Sequence, residues 1–411
     1  MVSAELFLNA KKGFFAIFLL RPIVEISRLG HSTILGLSAS DVVGLIIPLT
    51  LVVVILLKHP RPIRIRGWLG AFVGLVVFTQ VIHGMANLPQ LIRVLSPIPF
   101  LIFPQIIEWK DKNVLKFIQS VCYSIPLVLL AVVLSRSAHD LLPTGVDIQG
   151  MMVGRWGGVF YVPTLMGYWL SIFFLFGFLG SIAASSQRLK RLFLGGSLLL
   201  LVPIYWTFSR TAWVSCAVGL LIVLIMSKRY RESFVVLVLA FAINFVFTGV
   251  GQRLTSDLQG VGRLVLWIPI ATMFWRWDNF DKILGVGWAN IDGHLLHFLP
   301  SSWPIIGVGL TENSFLFILL GAGLLASLSY LFYWLFILRG TKRLAKMQIS
   351  TISKLFAILA FALTSMMLLQ GLTDDLVTSP VLNWYFYAVA GIVDAMLIQS
   401  KVTFSKEKST I

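Results

Sequence analysis

A chain of 411 residues that is 58% hydrophobic and 12% charged, with mean hydropathy +0.90, is excluded from the water-soluble globular class. The net charge of +16 would suit a nucleic-acid binder, but the basic residues fall mostly in short loops between apolar runs, where they serve topology instead. Cys122 and Cys216 both lie inside apolar runs, which argues against a structural disulfide or a cysteine metal site.

Apolar runs of about 20 residues, enough to cross a bilayer core as a helix, recur along the chain. The first covers 9–26. Its Lys11 and Lys12 precede an apolar stretch with no small-x-small cleavage site after it, so it reads as a retained span rather than a removed signal peptide. Further spans are predicted at 39–57, 67–85, 89–107 and 114–135, then at 160–184, 192–207, 209–227 and 233–249. The last three are 312–338, 351–371 and 380–400. The predicted fold class is an all-α polytopic membrane protein of about 12 transmembrane helices. It forms a single integral membrane domain over 1–411, without an internal sequence repeat.

One set of loops and ends holds most of the 33 Lys and Arg: Lys11 and Lys12, Lys58 to Arg66, Lys110 to Lys116, Arg188 to Arg191, Lys228 to Arg231, Arg339 to Lys354 and Lys401 to Lys408. By the positive-inside rule this set is cytoplasmic, as are both termini. The charge then faces anionic lipid, and nucleic acid is not expected as a partner. Arg28, Arg136, Arg155, Arg210, Arg253, Arg263, Arg276 and Lys282 fall on the outer side, where topology does not call for them. Two outer segments are long, 136–159 and 250–311. The second, between the ninth and tenth spans, has about 60 residues, a length usual for a functional loop. Trp267, Trp275, Trp277 and Trp288 in this loop suit a surface at the headgroup level. An amphipathic helix is predicted to open at Arg263, with Leu264, Trp267 and Ile268 on one face.

Four arginines stand near the outer face: Arg93 in "LPQLIRVLSPIP", Arg155 in "VGRWGGVFYVP", Arg210 in "TFSRTAW" and Arg263 in "GVGRLVLW". A guanidinium forks two hydrogen bonds onto a phosphate, so convergent arginines would fit a lipid-linked diphosphate. The alternative for Arg210 and Arg263 is snorkelling to the headgroups, and for Arg155 bonding to loop carbonyls. Arg93 lies within a predicted span, where the cost of a buried charge favours a function or an ion pair. Glu312 opens the span 312–338, as an acid favouring the helix dipole or as a general base at the membrane surface. His294 and His297 have the spacing of a metal pair, but no Cys and no HExxH pattern accompanies them, so no metal is expected. Asp374 and Asp375 lie before the last span and suit a sugar, a cation or the cap of a helix end. No glycine-rich nucleotide loop or nucleophile elbow stands in a supporting context.

Taken together, four segments in order over roughly 150–395 resemble the bacterial O-antigen polymerase and O-antigen ligase superfamily. They are Arg155-x-x-Gly158-x-Phe160-x-x-Pro163, Ser209-Arg210, the Arg263-x-x-x-Trp267 helix followed by Gly285-x-Gly287, and Asn313-x-x-Leu316 leading into Gly321 to Leu324. The resemblance implies a GT-C-like membrane glycosyltransferase of the bacterial inner membrane. It implies an undecaprenyl-diphosphate-linked glycan as donor, a periplasmic active site, no cofactor or essential metal, and a chain-length regulator as partner. It carries diphosphate binding onto Arg210 and Arg263, with Arg93 and Arg155 as further candidates. Family ligases have His before the Asn where this chain has Glu312, beside Asn313. That departure favours the polymerase branch, with Glu312 as the base, and leaves the ligase as an alternative. A lipid-linked oligosaccharide flippase is the alternative from another class. Against it stand the long outer loop and the lack of paired halves.

Overall fold

The computed structural model describes residues 9–27, 33–34, 37–58, 67–85, 88–138, 145–148, 151–154, 156–160, 162–207, 209–229, 231, 263–291, 294, 313–347 and 349–409. The backbone alone is described at 33–34, 37–41, 137–138, 145–148, 151–154, 263–266 and 401–409.

The helices in chain order are α1 (Ala10–Ile26), α2 (Ala39–Lys58), α3 (Gly67–Ile82), α4 (Leu88–Leu95), α5 (Ile98–Ile102), α6 (Asp111–Tyr123), α7 (Ile125–Ala138) and α8 (Pro163–Ala183). They continue with α9 (Gln187–Trp206), α10 (Arg210–Met226), α11 (Arg263–Arg276), α12 (Asn279–Leu284), α13 (Ser314–Lys346), α14 (Thr351–Gly371) and α15 (Pro380–Ser409). Two short antiparallel hairpins accompany them. β1 (Thr33–Ile34) pairs with β2 (Leu37–Ser38), with Thr33 opposite Ser38. β3 (Gly145–Ile148) pairs with β4 (Met151–Gly154), with Gly145 opposite Gly154.

Six stretches among the described residues are long and apolar enough to cross a membrane: Asp111–Arg136, where α6 runs into α7, then α8, α9, α13, α14 and the Pro380–Ser400 part of α15. Most of α2, with α3 and α10, forms shorter apolar helices. This is a multi-pass helical membrane protein. Most predicted spans match helices within about five residues. The run 114–135 is divided between α6 and α7, α13 runs on to Lys346 and α15 to Ser409. Two predicted spans stand apart. The run 89–107 is not one span: Pro97, Pro99 and Pro104 divide it into α4, α5 and a 3-10 turn at Phe103–Ile106. The span 233–249 lies outside the described residues.

Helices α8 and α15 form the centre, with 83% and 94% of their apolar windows buried, while α9 is peripheral at 28%. Close packing around α8 depends on small residues. A Cβ on Gly180 would run into the Cys122 sulfur, and one on Gly177 would run into Ile125 and Ser197. Inside the apolar core, α1 carries an ion pair between Arg21 Nη2 and Glu25 Oε1 at 2.6 Å. Arg21 also sits 4.1 Å over the Trp384 ring, so pairing and cation–π contact offset the cost of burying charge. The i,i+4 spacing of the two residues is the signal in the sequence that would have paired them.

Helix α13 is broken at Gly323, whose φ of 81° and ψ of 177° lie outside helical space. A break inside an apolar helix frees backbone groups that lipid cannot satisfy. Here the protein satisfies them. Val286 N–H donates to Leu320 O at 2.9 Å, Gln80 Nε2 donates to Gly321 O at 3.2 Å, and Trp288 Nε1 donates to Phe317 O at 3.4 Å. The segment from Ile283 to Trp288 thus lies against the break. It is pinned from α3 by Thr79 Oγ1 donating to Leu284 O at 2.8 Å and by His83 Nε2 at 3.0 Å from Gly285 O.

The described part of the long loop, 263–291, therefore contains helices and reaches into the bundle. The predicted helix at Arg263 is present as α11. Of the face expected for it, Trp267 is half-buried and packs on the core, Ile268 does not, and the Leu264 side chain lies outside the described residues. Ile268 is 64% exposed, while Ile270, Met273, Phe274 and Trp277 are buried at i, i+3, i+4 and i+7. Of the tryptophans expected at the headgroup level, Trp275 is 73% exposed. Trp277 and Trp288 are buried instead, the second stacked on Phe317.

Candidate functional site

The first turns of α8, α10 and α13 and the loop after α14 meet at one end of the bundle. Helix α13 begins there because Asn313 caps it: its Oδ1 accepts from Phe315 N–H at 2.9 Å and from Leu316 N–H at 3.0 Å. The Asn313 Nδ2 donates to Leu372 O at 3.0 Å, tying the cap to the loop. Ser314 extends the tie. Its N–H and hydroxyl donate to Asp374 O at 3.1 and 3.0 Å, and its Oγ accepts from Leu376 N–H at 2.8 Å. From the other side, Asn383 Nδ2 donates to Leu376 O at 2.8 Å. The loop bearing Asp374 and Asp375 is therefore fixed by hydrogen bonds from two helices.

The Tyr168 hydroxyl stands 3.0 Å from Asp374 Oδ2, 2.7 Å from Thr211 Oγ1 and 3.3 Å from Thr373 Oγ1. It has one proton, and an ionised carboxylate only accepts. Tyr168 is therefore the donor, its proton shared between Asp374 Oδ2 and Thr211 Oγ1, while the Thr373 hydroxyl donates to Gln370 O at 3.1 Å. Asp375 has a different environment. Its Oδ2 accepts from Thr378 Oγ1 at 3.1 Å, while Oδ1 is buried without a hydrogen-bond partner. Burial pushes the Asp375 carboxyl up to about 7; the charge of Asp374 adds to the rise and the Thr378 bonds oppose it. Two adjacent carboxyls, one committed to a tyrosine and one poised near neutral pH, form a pair able to orient and exchange protons.

Arg210 is the first residue of α10, half-buried, next to Thr211 and directly after the cap Ser209, whose Oγ accepts from Ala212 N–H at 3.3 Å. It thus stands one residue from the Tyr168 cluster. Arg93 does not sit within a span: it is exposed on α4, and α4 packs on the 3-10 turn Leu376–Thr378 beside Asp375. Arg263 opens α11, but its side chain lies outside the described residues, as do Glu312, Arg155 and His297. His294 is half-buried, with its ring edge-on to Trp277 at 5.7 Å. Among the described residues no group of three His, Cys, Asp or Glu stands together as metal ligands. Arg136, expected on the outer side, lies 4.1 Å over the Trp206 ring.

The arrangement brings together Asn313, Asp374 and Asp375, with Arg210 adjoining them. Sequence reasoning missed Tyr168, Thr211 and Thr373. Tyr168 stands in an apolar run whose only local message is a span, so nothing in its neighbourhood marks the hydroxyl as a ligand of Asp374. Compared with known proteins, the chain matches no family model and no curated protein.

Proposed function

We propose that this protein is a membrane glycosyltransferase of the O-antigen polymerase type. It joins undecaprenyl-diphosphate-linked repeat units into a surface polysaccharide at the periplasmic face of the bacterial inner membrane. The reading includes a GT-C-like arrangement of about 12 spans with both termini in the cytoplasm. The observation that carries it is the contact between sequence segments that the resemblance groups together. Gly285 to Gly287 dock on the break at Gly321 to Gly323, and the Arg210 and Asn313 segments converge on Tyr168 and Asp374.

In this reading Arg210 and Arg263 grip the donor diphosphate and stabilise the charge that develops on it. Arg93 and Arg155 stand by as further cations at the same face. The acceptor hydroxyl oxygen attacks the anomeric carbon, the bond from that carbon to the diphosphate oxygen breaks, and its electron pair leaves with the diphosphate. Glu312, next to the buried cap Asn313, takes the hydroxyl proton. Asp374 and Asp375 hold acceptor sugar hydroxyls. Neither a metal nor a nucleotide sugar enters the reaction.

Reconstitution of the purified protein with an undecaprenyl-diphosphate repeat unit tests the proposal. A ladder of product lengths is expected. Product only on addition of lipid A-core would instead identify a ligase, and movement of the donor without new glycosidic bonds a flippase. Arg210→Ala and Glu312→Ala are each expected to slow elongation by about 100-fold or more. Full activity in both would overturn the residue assignment while the ladder upholds the class.

A further inference from the structure

A second polar site lies at the other end of the bundle. Tyr168 and Ser181 are both on α8, and the residues between them span about 20 Å of helix. At that far end a cleft of roughly 290 Å³ is lined by Ser181, Gln187, Lys190, Arg191, Leu194 and Arg229, with Ile182 at its wall. Gln187, Lys190, Arg191 and Leu194 fall at i, i+3, i+4 and i+7, so one face of α9 supplies most of the lining. Arg229 arrives from α10. That helix ends with Lys228 at φ 60°, Lys228 N–H donating to Ile225 O at 3.0 Å and Arg229 N–H to Leu224 O at 2.8 Å. This paired 5→2 and 6→1 closure turns the chain sharply and fixes the Arg229 backbone beside α9.

The charge placement on α9 is unfavourable by itself. Arg188, Lys190 and Arg191 crowd its first turns, where the helix dipole is already positive, and no acidic residue stands in the first turn. An anion seated in the cleft would reverse that cost, because Lys190 and Arg191 line it there and Arg229 joins them from beyond α10. The same face continues as an apolar stripe of Leu194, Leu198, Leu201, Val202 and Tyr205, all exposed. A soluble anion has no use for such a stripe. An acyl chain does.

We infer that this cleft binds the phosphate headgroup of an anionic membrane phospholipid, with its acyl chains running along the exposed face of α9. Lys190, Arg191 and Arg229 hold the phosphate, and the Gln187 amide supplies an uncharged donor. The site is independent of the glycosyl-transfer reading.

Native mass spectrometry of the full-length protein in detergent, titrated with cardiolipin, phosphatidylglycerol or phosphatidylcholine, tests the assignment. Wild-type protein is expected to retain the two anionic lipids and not phosphatidylcholine. The triple variant Lys190→Gln, Arg191→Gln, Arg229→Gln is expected to weaken that retention about tenfold or more. A charge-matched control, Lys342→Gln, Arg343→Gln, Lys346→Gln at the far end of α13, is expected to change it by less than about twofold. Thermal unfolding of each variant verifies folding, and if the triple variant fails, Lys190→Gln and Arg191→Gln alone are expected to show partial losses. Equal loss in the control would overturn the site in favour of diffuse surface charge, and equal retention of phosphatidylcholine would overturn the anion. Displacement of the lipid by millimolar inorganic phosphate would assign the cleft to a soluble ligand and overturn the lipid.

Discussion

Asp375 combines one satisfied oxygen with one buried and unpartnered oxygen, and its carboxyl is pushed from 3.8 up to about 7 by burial. The folded protein therefore keeps this proton at pH values where the unfolded chain has already released it. Between about pH 4 and 7 the native state binds the extra proton, so this group's contribution makes stability fall as pH rises through that window. Asp375→Asn keeps the shape and an acceptor for Thr378 while removing the charge. Tryptophan-fluorescence melts from pH 5 to 8 are expected to give a falling Tm for the wild type and a flatter, higher curve for the variant at the alkaline end. Parallel curves would assign the dependence to other groups. The neighbouring Asp374 serves differently: it is the hinge of a hydrogen-bond set that joins α8, α13 and the loop after α14. In the proposed reaction this pair would meet the acceptor sugar.

At the scale of elements, α13 is the informative helix. Its break lets the Ile283 to Trp288 segment enter between α3 and α13, and three glycines make that possible. Gly323 adopts a φ of 81° with ψ 177°, a region open almost only to glycine. A Cβ there would also meet the Ile283 carbonyl, one on Gly285 would meet the Ala322 and Gly323 backbone, and one on Gly321 would meet the Trp288 ring. Gly323→Ala is expected to cost at least about 2 kcal/mol from backbone strain and the clash combined, read as a clear drop in Tm. Gly195→Ala on α9, where a Cβ meets nothing within 4 Å, serves as the comparison and is expected to be neutral or stabilising. Equal effects of the two substitutions would remove the docked segment from the list of stabilising features. In the proposed reaction this coupling would tie the segment carrying Arg263 to the helix that follows Glu312.

For the whole molecule the open quantity is orientation. Positive-inside counting puts the Tyr168–Asp374 end outside and the Lys190–Arg229 cleft inside. Both native cysteines, Cys122 and Cys216, are free and buried, which gives a silent background for thiol labelling. In spheroplasts, an impermeant maleimide is expected to label Leu372→Cys, exposed beside Asp374, without permeabilisation. Ser185→Cys, exposed between α8 and α9, is expected to be labelled only after the membrane is opened. The reverse pattern would move the proposed active site to the cytoplasmic face and end the lipid-diphosphate reading.

The apolar runs alone fixed where most helices lie, because a bilayer demands about 20 apolar residues per span and leaves little freedom in placing them. The helix start near Glu312 was legible within two residues for the same kind of local reason; the structure places the cap itself on Asn313. Even the failure at 89–107 was written in the chain, in three prolines that weigh against one continuous helix. Other features were decided by distance in space rather than by local sequence. Tyr168 meets Asp374 across more than half the chain, Trp288 fills a gap made by a glycine in another helix, and α9 shares its basic cleft with the residue that follows α10. A run of apolar residues specifies that a helix crosses the membrane. Which of its faces meets which neighbour depends on the packing of all the helices together, and only the tertiary structure carries that information.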